Sequence, residues 1–352
     1  VPRLQDRAEV TLKAKDFRDQ DALLRLQTAN RELSRRLADA KVRTTDLVGA
    51  VYRAARDAAL MVDLPPVKAP RLGTSKAVAE TAIAVLSDWQ LGKKTTSYNT
   101  DICEQRIARY AERLAKLTDI QRAAHPVRDL RVYLLGDLVE GELIFPGQEH
   151  AIDTSLFLQV MTNGPRILGG FLRAALAVFE RVHVVSVIGN HGALGGPVRR
   201  SYHPESNADA MMYEATRQQL RAESRLTWAP TLKPGERSWY AVDRIGQHGF
   251  LLFHGDQIKG GFAGFPWYGF DRKVKGWRMG AVKEPFTYAV SGHFHTPVRM
   301  LIGNVRLWGN GSTESDNTYA AERLAAQGTP SQWLLFAEPQ RGVTCEYEVH
   351  LT

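Results

Sequence analysis

Five short apolar runs in this chain each end in residues of metal-ligating type, and no other feature limits its fold as tightly. Residues 82 to 86 run into Ser87-Asp88-Trp89-Gln90, residues 130 to 135 into Gly136-Asp137-Leu138-Val139-Glu140, and residues 183 to 188 into Gly189-Asn190-His191-Gly192. Residues 250 to 253 run into His254-Gly255-Asp256, and residues 286 to 290 into Ser291-Gly292-His293-Phe294-His295. Each run is β-rich and closes on a turn signal. In an open sheet, ligands gather outside the carboxyl ends of the strands. Five such ends converging would surround one pocket with carboxylate, carboxamide and imidazole. Two imidazoles two residues apart on a loop, as at His293 and His295, suit metal ligation better than packing.

Between these runs the apolar period changes to that of a helix. Ile107, Tyr110, Leu114 and Leu117 keep helical spacing between the first two runs, and Leu168, Phe171, Leu172, Ala175 and Phe179 do so before the third. Strand and helix in alternation predict an α/β core. After His254 the chain turns strand-rich, over residues 288–291, 298–302, 305–308, 333–336 and 343–349, with Gly303-Asn304 as a hairpin signal. That ending is read as a second sheet packed on the first.

Residues 1–62 differ from the rest. They hold no glycine before Gly49 and a single proline, Pro2. From Leu23 an apolar seam alternates by three and four through Leu26, Asn30, Leu33, Leu37, Ala40, Thr44, Leu47, Val51, Ala54, Ala58 and Met61. This is the a/d pattern of a coiled coil, with Asn30 at an a position where a buried amide sets register. The expectation is a coiled-coil arm that self-associates, most simply as a parallel dimer. The competing reading is an amphipathic helix folded back on the domain that follows. Residues 63–76 carry Pro65, Pro66 and Pro70 and read as a stiff linker. Residues 77–352 form the expected catalytic domain.

Bulk properties narrow the function classes. No apolar run in the 352 residues approaches the ~20 needed to span a bilayer, so no membrane partner is expected. Two cysteines, Cys103 and Cys345, argue against a disulfide framework and suit a reducing cytoplasm. From the charged, polar start no signal peptide is expected, although a first residue of Val leaves room for a processed start. A net charge of +8 favours polyanionic partners.

The five blocks in order, Asp-x-Gln, Gly-Asp-x-x-Glu, Gly-Asn-His, His-Gly and Gly-His-x-His, resemble those of the calcineurin-like metallophosphoesterases, over roughly residues 78–312. The resemblance implies a four-layer α/β-β/α sandwich behind the coiled-coil arm. It implies two divalent metal ions, Mn²⁺ foremost, with Fe, Zn²⁺ or Mg²⁺ as alternatives. Asp137 would bridge them, Asp88, Gln90 and His295 would complete one site, and Asn190, His254 and His293 the other. A metal-bridging hydroxide would attack phosphorus in line, with His191 as acid or transition-state partner and Glu140 orienting it. Two departures stand out. The first block carries Gln90 where the family has histidine, and Gly192 stands where an acidic residue usually follows the third.

Residues 262–278 interleave aromatics with cations: Trp267, Arg272, Lys273, Lys275, Trp277 and Arg278. Aromatic faces stack bases and cations neutralise phosphates, so DNA is the expected substrate. Arg199 and Arg200, beside Tyr202, add a second basic-aromatic cluster, and residues 310–315 with Arg323 would close the far rim. Within the family the chain looks most like the phage and bacterial exonuclease-like branch, near the SbcD-type nucleases, which implies the cytoplasm of a bacterial host. Three rivals remain. A phosphomonoesterase or cyclic-nucleotide phosphodiesterase needs a small closed pocket. A protein phosphatase is disfavoured, because Gly141-Glu142 follows Glu140 where Arg-Gly is usual. A non-enzymatic oligomeric scaffold with a degenerate metal site has only Gln90 in its support.

Overall fold

The first three ligand-bearing runs become parallel strands of one sheet, and the last two become parallel strands of another. The computed structural model describes residues 28, 31–32, 35–36, 50, 57, 64–72, 77–142, 144–145, 147–194, 206–229, 239–259, 265–316 and 328–352. In the first sheet β1 (Glu80–Leu86), β2 (Val127–Leu134), β3 (Arg181–Ser186) and β4 (Leu226–Trp228) run parallel. Three helices make the crossovers: α1 (Thr100–Arg122), α2 (Gly164–Val178) and α3 (Ala208–Gln219). Asn99 starts α1 by accepting a bond from Ile102 N, and Asn207 starts α3 by accepting one from Asp209 N.

Parallel strands with continuous apolar runs need cover on both faces. The helices supply one cover. Cys103, Ile107, Tyr110 and Leu114 of α1 and Ile167, Leu168, Phe171 and Leu172 of α2 are buried at helical spacing. The second sheet supplies the other. It contains β5 (Tyr240–Ile245), β6 (His248–Phe253), β7 (Tyr288–Ser291), β8 (Val298–Ile302) and β9 (Val305–Gly309), in the order β5-β6-β7-β9-β8. Ile83, Val85, Tyr133 and Val185 of the first sheet pack with Phe250, Leu252, Tyr288, Val290 and Trp308 of the second. The opposite face of the second sheet, with Leu251, Phe253, Ala289 and Leu307, packs with Phe270 and Val274 of α4 (Trp267–Gly276) and with Trp277. The layers are helix, sheet, sheet, helix, the expected architecture.

Two strands correct the sequence reading. β10 (Ser331–Glu338) and β11 (Gly342–His350), expected in the second sheet, join the first, in the order β11-β10-β1-β2-β3-β4. All eight residues of β10 are buried, and a seat between β1 and β11 gives it a partner on each edge. The Gly303-Asn304 hairpin forms as expected, with Ile302 opposite Val305. β5 was not foreseen because Asp243 and Arg244 interrupt it. Asp243 accepts the Tyr133 hydroxyl at 2.9 Å and pairs with Arg131 at 3.0 Å.

In the arm, Thr28, Arg31, Glu32, Arg35, Arg36, Ala50 and Asp57 are helical and exposed, while the a/d seam lies outside the described residues. Part of the proline-rich stretch is fastened down. Arg173 donates to Pro65 O at 2.9 Å, Val67 N donates to Glu223 at 2.7 Å, and Arg225 donates to Val67 O at 2.8 Å. Among the described residues no helix is long and apolar enough to cross a membrane.

Candidate metal centre

The ladder bonds of each sheet continue past the strand ends and build the turns that carry the expected ligands. Asp88 N donates to Gly136 O at 3.1 Å, Gln90 N to Asp137 O at 3.1 Å and Leu91 N to Leu138 O at 3.0 Å, which zips the turn after β1 to the turn after β2. Gly292 N donates to His254 O at 2.7 Å and joins the turns after β6 and β7 in the same way. The two sheets meet where His293 N donates to both Asp88 carboxylate oxygens, at 3.0 and 3.1 Å. The turns after β2 and β3 approach so closely that a Cβ at Gly189 would strike the Asp137 carboxylate.

Among the described residues six non-glycine positions have positive φ, and five of them are expected ligands: Asp88, Gln90, Asp137, His293 and His295. A left-handed backbone costs such a residue on the order of 1–3 kcal/mol and persists only where its surroundings over-determine it. The inter-turn bonds do so here, and strain of this kind collects at functional sites.

One half of the centre is already gathered. Ligand atoms of Asp137, His254 and His293 lie within 4.8 Å of one another and could hold a metal ion. Nδ1 of His254 donates to Leu135 O at 2.7 Å, which leaves Nε2 for a ligand. That nitrogen is 2.9 Å from Asp137 Oδ2, 3.1 Å from Asn190 Oδ1 and 3.2 Å from His293 Nδ1. Burial opposes a charge on His254, but the carboxylates of Asp137 and Asp88 overcome this and raise it to about 10. Burial and the neighbouring His254 push His293 down to about 3. Burial alone would raise Asp137, yet His254 and His191 hold it far below the usual carboxylate range. Acceptor atoms this crowded suit a shared cation.

The other half contains Asp88, Gln90 and His295. Nε2 of His295 is 3.4 Å from Asp88 Oδ1. Gln90 is fully buried, and among the described residues neither its amide nitrogen nor its oxygen has a hydrogen-bond partner. An unpaired buried polar group costs about 1–3 kcal/mol. A cation bound by the amide oxygen would remove part of that cost, so the residues present fit divalent metal of oxygen- and imidazole-binding type.

Beside these halves, Nδ1 of His191 donates to Glu140 O at 3.0 Å and lies 3.3 Å from the Glu140 carboxylate. Its backbone N–H donates to Asp137 Oδ1 at 2.7 Å. Burial would lower His191, but Asp137 and Glu140 raise it to about 9.

Sequence reasoning missed two carboxylates. Asp209, in the first turn of α3, is buried and accepts from the backbone N–H groups of Asp137 (2.9 Å), Leu138 (3.0 Å), Val139 (3.3 Å) and Gly189 (2.9 Å). It ties the turn after β2 to the turn after β3. Burial and the adjacent Asp137 raise it to about 6, against the Gly189 and Val139 N–H donors and His254. Its only sequence signal was an acid two residues past a helix-capping asparagine. Glu314 accepts from Nδ1 of His295 at 2.6 Å and pairs with Lys93. It follows β9, a sixth strand end rich in polar residues.

The expected DNA contacts separate into three groups. Trp267 is 54% exposed, and Arg272 and Lys273 share its helix. Lys275 pairs with Asp271 at 2.7 Å, and Arg278 donates to Phe286 O with its guanidinium 5.9 Å from the Phe286 ring centre. Trp277 cannot stack on a base as expected. It is 6% exposed and packs with Phe253 and Trp239 at ring separations of 4.8 and 4.7 Å. Arg199, Arg200, Tyr202 and Arg323 lie outside the described residues.

No family model and no curated protein matches this chain. Among solved structures it is similar to a conserved protein of Streptococcus pneumoniae described as a predicted phosphoesterase. That match has 13% identity and a TM-score of 0.30, over 77% of this chain and 99% of that one. It is also similar to Vps29 of Entamoeba histolytica in complex with zinc, at 15% identity and a TM-score of 0.33, over 77% and 99% of the two chains. A third match is an archaeal phosphodiesterase, at 8% identity and a TM-score of 0.34, over 76% and 99%.

Proposed function

We propose that this chain is a dinuclear metal-dependent phosphoesterase that cleaves phosphodiester bonds, with DNA as its substrate. The observation that carries the reading is the set of five left-handed turn residues, Asp88, Gln90, Asp137, His293 and His295, from strand ends of two sheets bonded to one another. His254 and Asn190 add donors beside Asp137. When bound, two divalent ions supply charge neutralisation at phosphorus and a nucleophilic water at neutral pH. The protein's own part is to hold the phosphate against those donors and to deliver a proton. Glu140 fixes Nδ1 of His191, which leaves Nε2 as the nitrogen able to protonate a leaving oxygen. Where metal charge offsets Asp137, Glu140 continues to favour the imidazolium.

The choice of nucleic acid rests on a run of rings leading away from the centre. His293 and Phe294 are 4.8 Å apart, Phe294 and Phe265 5.4 Å, and Phe265 and Trp267 4.7 Å. The run ends at the exposed Trp267, with Arg272 and Lys273 on the same helix, a combination that suits a stacked base and its backbone phosphates. A cyclic nucleotide or phosphomonoester would make less use of it.

The deciding experiment is release of nitrophenol from bis-nitrophenyl phosphate with Mn²⁺, run beside labelled DNA, cyclic nucleotides and phosphopeptides. Turnover of the diester and of DNA is expected. A chain that binds metal and turns over none of these is the oligomeric scaffold.

A further inference from the structure

The half of the centre that contains Asp88, Gln90 and His295 depends on a segment far from it in sequence. Ser312 Oγ donates to Asp88 O at 2.7 Å and accepts from Glu314 N at 3.0 Å. Thr313 N donates to Asp88 O at 3.2 Å, and its hydroxyl donates to Trp89 O at 2.9 Å. Asn310 donates to Ser87 Oγ at 2.9 Å. The stretch after β9 is thus bolted to the turn that carries two of the three expected ligands. The carboxylate it presents, Glu314, is 6% exposed and engaged on both sides. One oxygen faces Nδ1 of His295 at 2.6 Å, and the other meets the ammonium of Lys93. Lys93 N in turn donates to Gln90 O at 2.9 Å.

An imidazole has two nitrogens, and a metal ligand must keep one lone pair. A carboxylate on Nδ1 settles which nitrogen that is and fixes the plane of the ring. We infer that Glu314 is a positioning residue: by holding Nδ1–H of His295 it turns Nε2 toward Asp88 and sets how tightly that half of the centre takes its ion. The inference rests on the dinuclear reading above. Lys93 holds the other Glu314 oxygen.

The test is titration of the full chain with Mn²⁺, with free ion read by its electron paramagnetic resonance signal, for wild type, Glu314→Ala, Glu314→Gln, His295→Ala and Glu314→Ala combined with His295→Ala. Wild type is expected to take up two ions. Glu314→Ala should weaken one of them by about 10–100-fold and leave the other unchanged. Glu314→Gln keeps an oxygen for Nδ1–H and should recover part of the loss, although Lys93 loses its anionic partner. Adding Glu314→Ala to His295→Ala should cost nothing more, because Glu314 acts through that ring. Unchanged affinities in Glu314→Ala overturn the inference. So does equal weakening of both ions with a fall in melting temperature, which marks a merely structural carboxylate. A further loss in the double variant overturns it too. Wild type that binds fewer than two ions overturns the dinuclear reading itself, a separate and recognisable outcome.

Discussion

The two halves of the candidate metal centre are built differently. In the half around Asp137, His254 and His293, the donors are held by the strand ends themselves. His254 is oriented by Leu135 O from the neighbouring sheet, and Asp137 sits in a turn that Asp209 clamps through backbone N–H groups. In the half around Asp88, Gln90 and His295, orientation comes from side chains of residues 310–314 and from Lys93. In the first half the donors stand on strand ends whose turns one carboxylate clamps through backbone N–H groups, whereas in the second half several side chains reach the ligand turn and the His295 ring. The expectation is that sequence change tunes or removes an ion more readily in the second half. Gln90, with its unpaired buried amide, lies in this second half.

Asp137→Ala should break the comparison outright, because this carboxylate is the proposed bridge between the halves. Both ions should be lost, by more than the ~10–100-fold that follows removal of an outer partner, and diester turnover should fall to background. Mn²⁺ titration beside a turnover assay checks it. Retention of one ion at wild-type affinity would show that the halves do not share Asp137.

His191→Ala should separate chemistry from both halves. His191 is held by Glu140 and belongs to neither proposed ligand set. Metal content should stay at the wild-type level while turnover drops about 10²–10⁴-fold, as for a lost general acid or base. The drop should shrink on esters with good leaving groups, which need no proton. A near-normal rate on a poor leaving group removes His191 from the mechanism.

The same contrast explains what could be read from sequence. The ligand turns were legible because each puts polar residues directly after a β-rich run, and a strand end is a position that topology uses. Asp209 was not legible, since its carboxylate serves backbone N–H groups of turns some 70 residues away in sequence, and no local pattern records that. Glu314 lay in a stretch read only as a rim. The sheet that β10 joins is not legible in sequence, because a strand buried along its whole length has no alternation to declare which neighbours it takes. Trp277 sits in a basic-aromatic stretch that suits base stacking, but Phe270, Val274 and Trp277 keep the helical spacing of a core-facing stripe.

Acidity should act on the two halves alike and so test whether they are electrostatically equivalent. In the metal-free protein His254 and His295 are each raised to about 10, against an ordinary value of about 6.5, while His293 is already neutral. For His295 the opposing cost of burial is overcome by Glu314 and Asp88. A raised histidine stabilises the metal-free fold fully below about pH 6.5 and ceases to do so as pH rises through about 10. Acid therefore favours the metal-free state, and each ion must displace about one proton in that window. Metal affinity in both halves should weaken about tenfold per pH unit on acidification, which calorimetric proton counting would measure. A slope present in one half and absent in the other would show that one imidazole is not a ligand.

The smallest expected effect lies outside both halves and tests whether the helix carrying Trp267 is part of the same site. Arg272→Gln and Lys273→Gln remove charge from α4 without touching a proposed ligand or the buried stripe beneath. If the helix meets DNA, each lost phosphate contact should lower the slope of log K against log salt by about 0.7–0.9. Trp267→Ala should cost about 1–3 kcal/mol of binding without changing that slope, because stacking releases no counterions. Hydrolysis of bis-nitrophenyl phosphate should be unaffected by all three, since a small ester does not reach the helix. Parallel losses on the ester and on DNA would mean that α4 supports the His293 turn through Phe265 and Phe294 and makes no substrate contact. No change on either would place the helix outside the site and leave the diester, without DNA, as the supported substrate.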